Sequence, residues 1–491
     1  MATVIHFILI ALFIIPTHNL SQSNDDDGFV SLLLSEKGVN FAKDVLIEQA
    51  ISSLAPLQLP QIITKSVRVP IIGNINMGIS NITIFQVNVS SSSITLNNNN
   101  TGEISIVASG ATANLSMNWS YSCHSWGFFP IQIADKGEAS IQVEGMDVKI
   151  NLGLEYEGGT LKLSPLECGC FVKDIAIILD GGLSWLYQGF INAFEGKIRS
   201  AVESTVNNKI REGILKLDSL LQTLPKEVPV DDIASLNVTL INKPLFEDSS
   251  IGLEINGLFT AKNSSIVPMY YHKNSLPSVD SRHLRKMLGI SLHEAVFNSA
   301  SDVYFKADSL RWIVEKVPDQ SYLNTNKWRF IVPQLYRKYP NDNMRLNISF
   351  ATPPILKIHS EEIEANIYSD MIVEVLNDDE IIPVACISVI VKASGYAKIA
   401  GNNLGGHIDM EDFDLSLKWS KIGNFRMHLI ESVMRTFIKT AALPYANSRL
   451  TKGFPLPIFR GFTLQNADLI YRKSKIMIST DVGFTGSYNL K

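Results

Sequence analysis

Charge is scarce in this chain. Only 19% of its 491 residues are Asp, Glu, Lys or Arg, below the ~25% typical of soluble domains, so its polar surface must come from Asn, Ser and Thr. Lys and Arg number 14 against 23 Asp and Glu up to Ser235, and 29 against 25 after it, so the two halves carry −9 and +4. Neither half has the dense basic stripe that nucleic-acid binding requires, and no nucleic-acid partner is expected.

No hydrophobic run approaches the ~20 apolar residues that cross a bilayer. The apolar run 4–15 has the length of a signal-peptide core and is followed by Pro16 and small polar residues, although no Lys or Arg precedes it. We therefore expect residues 1–23 to be a signal peptide and the protein to be secreted and extracellular. Glycosylation triplets agree with secretion. They begin at Asn81, Asn88, Asn99, Asn114, Asn118, Asn237, Asn263 and Asn347.

Catalytic motifs are also missing. The chain has no G-x-S-x-G nucleophile elbow and no G-x-x-x-x-G-K-[ST] phosphate loop. His293-Glu294 begins like a zinc-protease motif, but Phe297 occupies the place of the second histidine. We expect no enzyme activity, no metal site and no cofactor.

Cysteine is rare, with four residues in the chain. In a secreted chain a disulfide is the expected state of a cysteine pair, rather than a metal site. We predict a bridge between Cys123 and either Cys168 or Cys170. Cys386 lies in the apolar run 381–391 and is predicted to be a small buried residue.

A long helical pattern is present twice. In 182–221 an apolar residue recurs every fourth position, and a shift of 240 residues reaches a second such stripe. Both end in Asn-x-basic-aliphatic-x-x-Gly-apolar, starting at Asn207 and Asn447. The repetition indicates a duplicated module. We predict an N-terminal barrel at 24–235, a linker at 236–251 and a C-terminal barrel at 252–491.

The four-residue spacing makes each stripe wind around its helix by roughly 40° per step. A flat neighbour would cover only part of such a stripe, so we expect a strongly curved sheet around each helix. Pro444 is expected to kink or interrupt the second helix.

The rest of the chain indicates a further helix and many strands. Ser35 can cap a helix at 35–54. Strict alternation of apolar and polar residues predicts strands. They are placed at 115–121, 146–156, 344–350, 413–419 and 464–480. The fold class is α+β, with long antiparallel strands wrapped on a few helices.

An aromatic group follows the strand at 115–121. Trp119 and Tyr121 fall on its inner face and are expected in the core, whereas Trp126, Phe128 and Phe129 flank Gly127 in a predicted loop tip. An exposed aromatic tip is typical of a membrane-contact element. The alternative is a loop folded back on the domain.

Four segments together resemble the family of bactericidal/permeability-increasing protein and lipopolysaccharide-binding protein, and the plant members most. They are KGFPLP at 452–457, YPN at 339–341 leading to ATPP at 351–354, FNSA at 297–300, and KGVNFA at 37–42. The resemblance runs over nearly the whole mature chain. It implies an elongated boomerang of two similar barrels, with a central sheet between them.

The resemblance also implies an apolar pocket in each half that takes phospholipid acyl chains, and recognition of the lipid A part of lipopolysaccharide. The candidate pocket residues lie on the helix faces, where ordinary core packing is the alternative. They are Val45, Leu46, Phe190, Phe194, Ile198, Val202, Met434 and Ile438. The predicted function is lipopolysaccharide and phospholipid binding in innate defence, with a bacterial membrane surface as a further partner. The alternative is a lipid-transfer carrier without an immune role.

The chain departs from the family pattern in two places. The family's basic tip would fall on 55–60 and 118–122, and neither stretch contains a Lys or Arg. The family's disulfide would join the region of Cys170 to the long helix near Lys209 and Ile210, where no cysteine is present. This second departure supports Cys123 as the substitute partner.

Overall fold

The computed structural model describes residues 28–59, 65–69, 73–97, 102–124, 132–179, 184–247, 249–262, 271, 284–378, 380–456 and 462–484. The chain divides into two compact units. Unit 1 contains Leu34–Leu224 and Lys243–Gly252, and unit 2 contains Pro225–Asn242 and Leu253–Lys491 together with the segment that ends at Leu33. Within the described ranges no helix is both long enough and apolar enough to cross a bilayer.

Unit 1 begins at the end of strand β1 (Val30–Leu34), and helix α1 (Glu36–Leu54) follows at once. The Ser35 hydroxyl accepts a hydrogen bond from the Gly38 amide at 3.3 Å, which caps this helix as predicted. The predicted second helix forms as α2 (Ser184–Gln222). Its four-residue stripe lies fully buried from Phe194 to Val206, so the stripe is the face that packs on the sheet.

The sheet of unit 1 is antiparallel, with the order β2-β4-β6-β7-β8, while β3 pairs with β4 and β5 with β6. The strands are β2 (Leu57–Gln58), β3 (Lys65–Val69), β4 (Gly73–Asn88), β5 (Ser91–Asn97), β6 (Glu103–His124), β7 (Gln132–Glu157) and β8 (Thr160–Leu179). The inner residues of β6 from Ala111 to Cys123 are buried at every second position, because successive side chains alternate between the two faces. The predicted strands at 115–121 and 146–156 are thus parts of longer strands.

The chain from 223 to 293 forms short strands. A three-stranded sheet has the order β13-β10-β9. A six-stranded sheet has the order β11-β12-β1-β14-β23-β22, where β22 (Phe462–Arg472) and β23 (Lys475–Phe484) come from the end of the described chain. The strands are β9 (Glu227–Pro229), β10 (Ala234–Asn237), β11 (Leu245–Glu247), β12 (Ser250–Ile255), β13 (Phe259–Ala261) and β14 (Leu288–His293). The segment 236–251, predicted as a linker, therefore contains the end of β10, the whole of β11 and the start of β12.

Helix α3 (Glu294–Lys306) opens the remaining part of unit 2, and His293 caps it by accepting a hydrogen bond from the Ala295 amide at 3.1 Å. The main sheet of this unit has the order β15-β16-β18-β19-β20-β21, with β17 paired to β18. The elements are β15 (Arg311–Val314), two 3₁₀ helices (Gln320–Leu323 and Thr325–Trp328), α4 (Pro333–Lys338), β16 (Asn343–Phe350), β17 (Ile355–Ile358), β18 (Ile363–Asn377), β19 (Glu380–Ala400), β20 (Asn403–Ser420) and β21 (Phe454–Pro455).

The second long helix is interrupted, as predicted. Helix α5 (Met427–Phe437) passes through a π-helical turn (Ile438–Ala442) into α6 (Leu443–Leu450). Pro444 lies in the first turn of α6, where its missing amide proton costs least. In a regular α-helix the proline ring would clash with the carbonyl group of residue 440, and the π-helical turn falls at that position.

The prediction of one last strand at 464–480 is wrong. This segment is a hairpin of β22 (Phe462–Arg472) and β23 (Lys475–Phe484). Ser474 takes a positive φ of 62° in the two-residue turn between them, a conformation typical of tight hairpins. Polar Lys473 and Ser474 were the signal for this turn.

Candidate functional site

Unit 2 contains a cavity of about 320 Å³ between its main sheet and helix α5. This volume lies at the lower end of the range of small-molecule sites. The lining comes from four parts of the chain: the 3₁₀ segment, α4, the sheet, and α5 with the loop before it. The lining residues include Val317, Tyr322, Leu323, Trp328, Val332, Leu335, Met344, Leu346, Met371, Val373, Val384, Ala385, Ile387, Ile422, Phe425, Ile430, Val433, Met434 and Phe437.

The sheet wall of the cavity is built from rungs of paired residues. Leu346 lies opposite Val373, which in turn lies opposite Ala385, and all three line the cavity. Two positions further along these strands, Met371 lies opposite Ile387. Because neighbouring strands present directly paired residues on the same face, each rung makes a continuous apolar strip.

The helix wall is the apolar face of α5. Ile430 and Met434 are buried one turn apart, and Val433 and Phe437 lie beside them on the cavity side. Thr440, in the π turn, extends the wall. The interruption caused by Pro444 thus falls directly beside the cavity.

The outer wall is the 3₁₀ segment, which is fixed by its own hydrogen bonds. The Trp328 indole N–H donates to the Tyr322 carbonyl at 2.8 Å, and the Gln320 amide donates to the Glu315 carbonyl at 3.1 Å. Asp319 accepts hydrogen bonds from the Ser321 hydroxyl and amide at 2.6 and 3.1 Å. This wall is therefore preformed.

Polar groups in the lining are few and engaged. Asp319 is the one ionised side chain among the lining residues, and the Ser321 hydrogen bonds hold its pKa below the usual range. The hydroxyls of Thr436 and Thr440 donate to backbone carbonyls of their own helix. In the part of the chain that the structure describes, no group of three His, Cys, Asp or Glu side chains could hold a metal ion. The lining is suited to binding an apolar chain by contact.

The predicted pocket residues are divided between cavity and core. Met434 lines the cavity, and Ile438 packs in the same core cluster without lining it. In unit 1, Phe194, Ile198 and Val202 are each 0% exposed and pack in the core against the sheet.

The other helix-face candidates of unit 1 are less defined. Val45 and Leu46 are half-buried on α1, and the side chain of Phe190 lies outside the described residues. A lipid site in unit 1 remains a prediction.

The segment 317–335 is the part of the site that sequence reasoning missed. Its only local signal is the apolar Trp328, Val332 and Leu335 set among exposed polar residues. That pattern is also typical of an ordinary surface turn.

The predicted bridge from Cys123 to Cys168 or Cys170 is wrong. Cys123 lies opposite Ile133 of β7, whereas Cys170 lies opposite Val148 of the same strand. Fifteen residues of strand separate those two positions, or roughly 50 Å, while a disulfide needs Cα atoms within about 7 Å. Cys168 and Cys170 are free thiols, and Cys386 is buried as predicted.

The aromatic tip Trp126, Phe128 and Phe129 lies outside the described residues, so its membrane contact stays a prediction. Trp119 and Tyr121 are buried and stacked at 5.9 Å, as expected of core residues.

The glycosylation triplets differ in exposure. Asn81, Asn88 and Asn118 are exposed, whereas Asn114, Asn237 and Asn347 are half-buried. Asn99 and Asn263 lie outside the described residues.

Sequence comparison finds one family over both units. A model of the N-terminal domain of the LBP / BPI / CETP family matches residues 38–224, and a model of its C-terminal domain matches 228–484. A BPI/LBP family protein of Arabidopsis thaliana is 50% identical over 467 residues, which cover 95% of each chain. Lipopolysaccharide-binding protein of Bos taurus is 27% identical over 356 residues, covering 71% of this chain and 73% of that protein.

Structural comparison finds the same fold. The crystal structure of a lipopolysaccharide binding protein matches with a TM-score of 0.62 and 20% sequence identity, covering 94% of this chain and 100% of that one. The predicted α+β fold class, with antiparallel sheets packed on long helices, is confirmed by this likeness.

Proposed function

Because the chain belongs to the LBP / BPI / CETP family, we propose that it is a non-enzymatic protein that binds lipids by burying acyl chains, with the cavity of unit 2 as a binding site. The observation that carries the proposal is the apolar cavity of about 320 Å³ with a single ionised lining residue. An enzyme site would need polar groups converging on a reacting bond. This lining offers apolar contact instead.

Burial of an acyl chain supplies enough free energy for stable binding. Each buried methylene contributes about 0.8 kcal/mol, so ten of them contribute about 8 kcal/mol before the cost of association is subtracted. A preformed wall reduces that cost, because little side-chain freedom is lost on binding. The affinity should therefore rise about fourfold per methylene until the cavity is full.

The ligand we propose is an acylated bacterial or cellular lipid, namely lipopolysaccharide through its lipid A chains, or phospholipid. Animal relatives of this chain are called lipopolysaccharide-binding protein and bactericidal permeability-increasing protein, which supports a role in defence. The apolar run at 4–15 and the exposed triplets at Asn81, Asn88 and Asn118 support secretion.

A second candidate is a lipid-transfer carrier without an immune role. It is favoured by the lining of the cavity, which has no cationic side chain for the phosphates of lipid A. Equal affinity for lipid A and for a neutral diacyl lipid would favour the carrier. A clear preference for lipid A would favour defence.

The proposal is tested with a variant whose larger side chain fills the cavity. Val433→Trp places an indole ring in the lining, and Leu429→Trp is the matched control because Leu429 is 37% exposed on the same helix and does not line the cavity. Binding of a soluble acyl lipid is measured by calorimetry, and co-purified lipid by mass analysis of solvent extracts. Val433→Trp should bind the lipid at least tenfold more weakly than the wild type, whereas Leu429→Trp should bind it as the wild type does. Unchanged binding by both would contradict the proposal.

A further inference from the structure

Phe330 is the most exposed large hydrophobic residue of the described chain, at 78%. Trp328, the last residue of the second 3₁₀ helix, lies two positions before Phe330, and Val332 lies two positions after it. Both Trp328 and Val332 line the cavity. The same short stretch therefore contributes to the cavity wall on one side and presents a bare aromatic ring to solvent on the other. A ring this exposed contributes little buried area to the fold.

Basic residues are frequent on both sides of Phe330 in the sequence. The segment 316–339 carries five basic residues and one acid. They are Lys316, Lys327, Arg329, Arg337 and Lys338 against Asp319. The Arg329 guanidinium lies 4.5 Å from the centre of the Phe330 ring. Asp319 is already engaged, because Ser321 donates to it and Lys327 lies 3.7 Å away.

A second segment extends the same surface. Gly423 lies next to Gln334 of α4, because a Cβ atom added to Gly423 would lie 3.9 Å from the Gln334 side chain. The loop 420–426 adds Lys421 and Arg426, both exposed, and contains no acid. Lys421 lies 5.8 Å from the ring centre of Trp419, which is 39% exposed.

Acidic groups are also present near this end of the sheet. Asp342 accepts a hydrogen bond from Asn377 at 2.8 Å, and Asp378 and Glu380 flank the β18–β19 turn. The same turn carries a directly paired and exposed apolar couple, Leu376 and Ile381. Asp342 also pairs through its backbone with Thr325, two residues before Lys327. The acids of this hairpin therefore border the basic segments 327–338 and 421–426.

We propose that the Phe330 surface, made of Arg329, Phe330, Arg337, Lys338, Lys421 and Arg426, docks on an anionic lipid bilayer. Phe330 enters the interface and the cations contact headgroup phosphates. The proposal rests on the proposed function, since docking here would bring the cavity to the membrane from which its lipid is taken.

A bilayer fits this surface better than a folded protein does. A single exposed ring with an arginine beside it, and further cations on the neighbouring segments, matches the layered chemistry of a membrane, where acyl chains lie beneath phosphates. A protein partner would require a broad apolar area with a desolvated centre. Each cation near an anionic membrane contributes a factor of about five in binding.

The test is sedimentation of the full-length protein with vesicles of phosphatidylcholine containing phosphatidylglycerol. Phe330→Ser should lower the partition coefficient about tenfold, and the Arg329→Ser, Arg337→Ser pair about 25-fold. Phe171→Ser is the matched apolar control, because Phe171 is 62% exposed on β8 of unit 1. Lys392→Ser with Arg472→Ser is the matched charge control, and both controls should bind as the wild type.

Binding of a monomeric short-chain phosphatidylcholine separates docking from the cavity. Phe330→Ser should retain this binding, whereas Val433→Trp should lose it. Wild-type adsorption that fails to increase with phosphatidylglycerol would overturn the proposal, and so would unchanged adsorption of Phe330→Ser. Loss of short-chain binding in Phe330→Ser would assign Phe330 to the cavity and also overturn docking. If Val433→Trp keeps its binding of the short-chain lipid while Phe330→Ser behaves as expected, the result contradicts only the proposed function.

Discussion

Asn447 makes two hydrogen bonds with one residue of the neighbouring strand. Its side-chain oxygen accepts from the Ile408 amide at 2.8 Å, and its side-chain nitrogen donates to the Ile408 carbonyl at 2.9 Å. At this point β20 is an edge strand, so these backbone groups have no strand partner. The residue at the same place in the first repeat is Asn207, whose side-chain oxygen is buried without a hydrogen-bond partner among the described residues.

The two asparagines should therefore respond differently to the same substitution. Asn447→Leu leaves a backbone amide and carbonyl unpaired, and we expect the free energy of unfolding to fall by about 1–3 kcal/mol. Asn207→Leu removes a buried group that already lacks a partner, so the change should stay within about 1 kcal/mol. Urea unfolding measures both. Equal losses would show that the motif stabilises the two repeats in the same way.

Cys170 allows a test at alkaline pH. Burial, with the Glu203 carboxylate as a second cause, raises the pKa of its thiol from 9.0 to about 12. The folded protein keeps this proton between pH 9 and 12 while the unfolded chain releases it, so the unfolded state binds fewer protons and stability falls as pH rises through this window.

The expected loss is at most about 1.4 kcal/mol per pH unit. The measurement is urea unfolding at pH 8 and pH 10, with Cys170→Ala as the control that removes the titrating group. The wild type should lose more stability over this interval than the variant. Parallel losses would show that the thiol ionises equally in both states.

At the scale of elements, α2 protects the open edge of its sheet with polar side chains. The Glu203 carboxylate accepts from the Val172 amide at 2.9 Å, and the Asp218 carboxylate accepts from the Leu163 amide at 2.8 Å. The Arg199 guanidinium donates to the carbonyls of Val172 and Lys173 at 2.7 Å each. Helix α6 protects β20 in the same manner through Asn447, so each long helix closes its sheet where a strand would otherwise be needed.

Removal of one protecting side chain should destabilise unit 1. Val172 is fully buried, so Glu203→Ala leaves its amide unpaired and should cost about 1–3 kcal/mol. Glu203→Gln keeps an acceptor oxygen and should cost less. The control is Glu212→Ala on the same helix, where an exposed carboxylate contacts only lysines. Thermal unfolding of the three variants gives the comparison, and a loss in Glu212→Ala as large as in Glu203→Ala would contradict it.

The helices could be predicted from sequence because their signals are local. Ser35 and the four-residue stripe placed α1 and α2 within two residues, and Pro444 marked the interruption of the last helix. Strand register is not local, and for that reason the pairing of Cys123 was wrong. Cys123 pairs with Ile133 of β7 and Cys170 with Val148, fifteen positions further along that strand. No local sequence pattern near Cys170 indicates this separation.

The cavity could be predicted only in part, because its volume depends on the packing of segments that are far apart in the sequence. Met434 and Phe194 occupy similar places in the two stripes, yet Met434 lines the cavity and Phe194 is sealed in the core. In unit 2 the segment 317–335 supplies the outer wall of the cavity. No periodic pattern marks that segment.

At the scale of the whole molecule, net charge and local charge make opposite predictions. The chain carries −5 overall, with −9 up to Ser235 and +4 after it. If total charge decided adsorption, anionic vesicles would repel the protein at low salt and bind it better as salt screens the repulsion. If the Phe330 surface decides, adsorption is strongest at low salt and falls as salt rises, because the contact is local and attractive.

Salt dependence should therefore separate docking from lipid uptake. Between 50 and 500 mM NaCl the screening length falls from about 14 to about 4 Å, and we expect adsorption on anionic vesicles to fall by at least tenfold. Binding of a monomeric zwitterionic lipid should change by less than about twofold, because acyl burial involves no net charge. Sedimentation measures the first quantity and calorimetry the second. Adsorption that rises with salt would show that repulsion by the acidic half, and not attraction at the Phe330 surface, governs vesicle binding. Lipid binding that falls in parallel with adsorption would show that a charged contact, not the apolar cavity, holds the ligand.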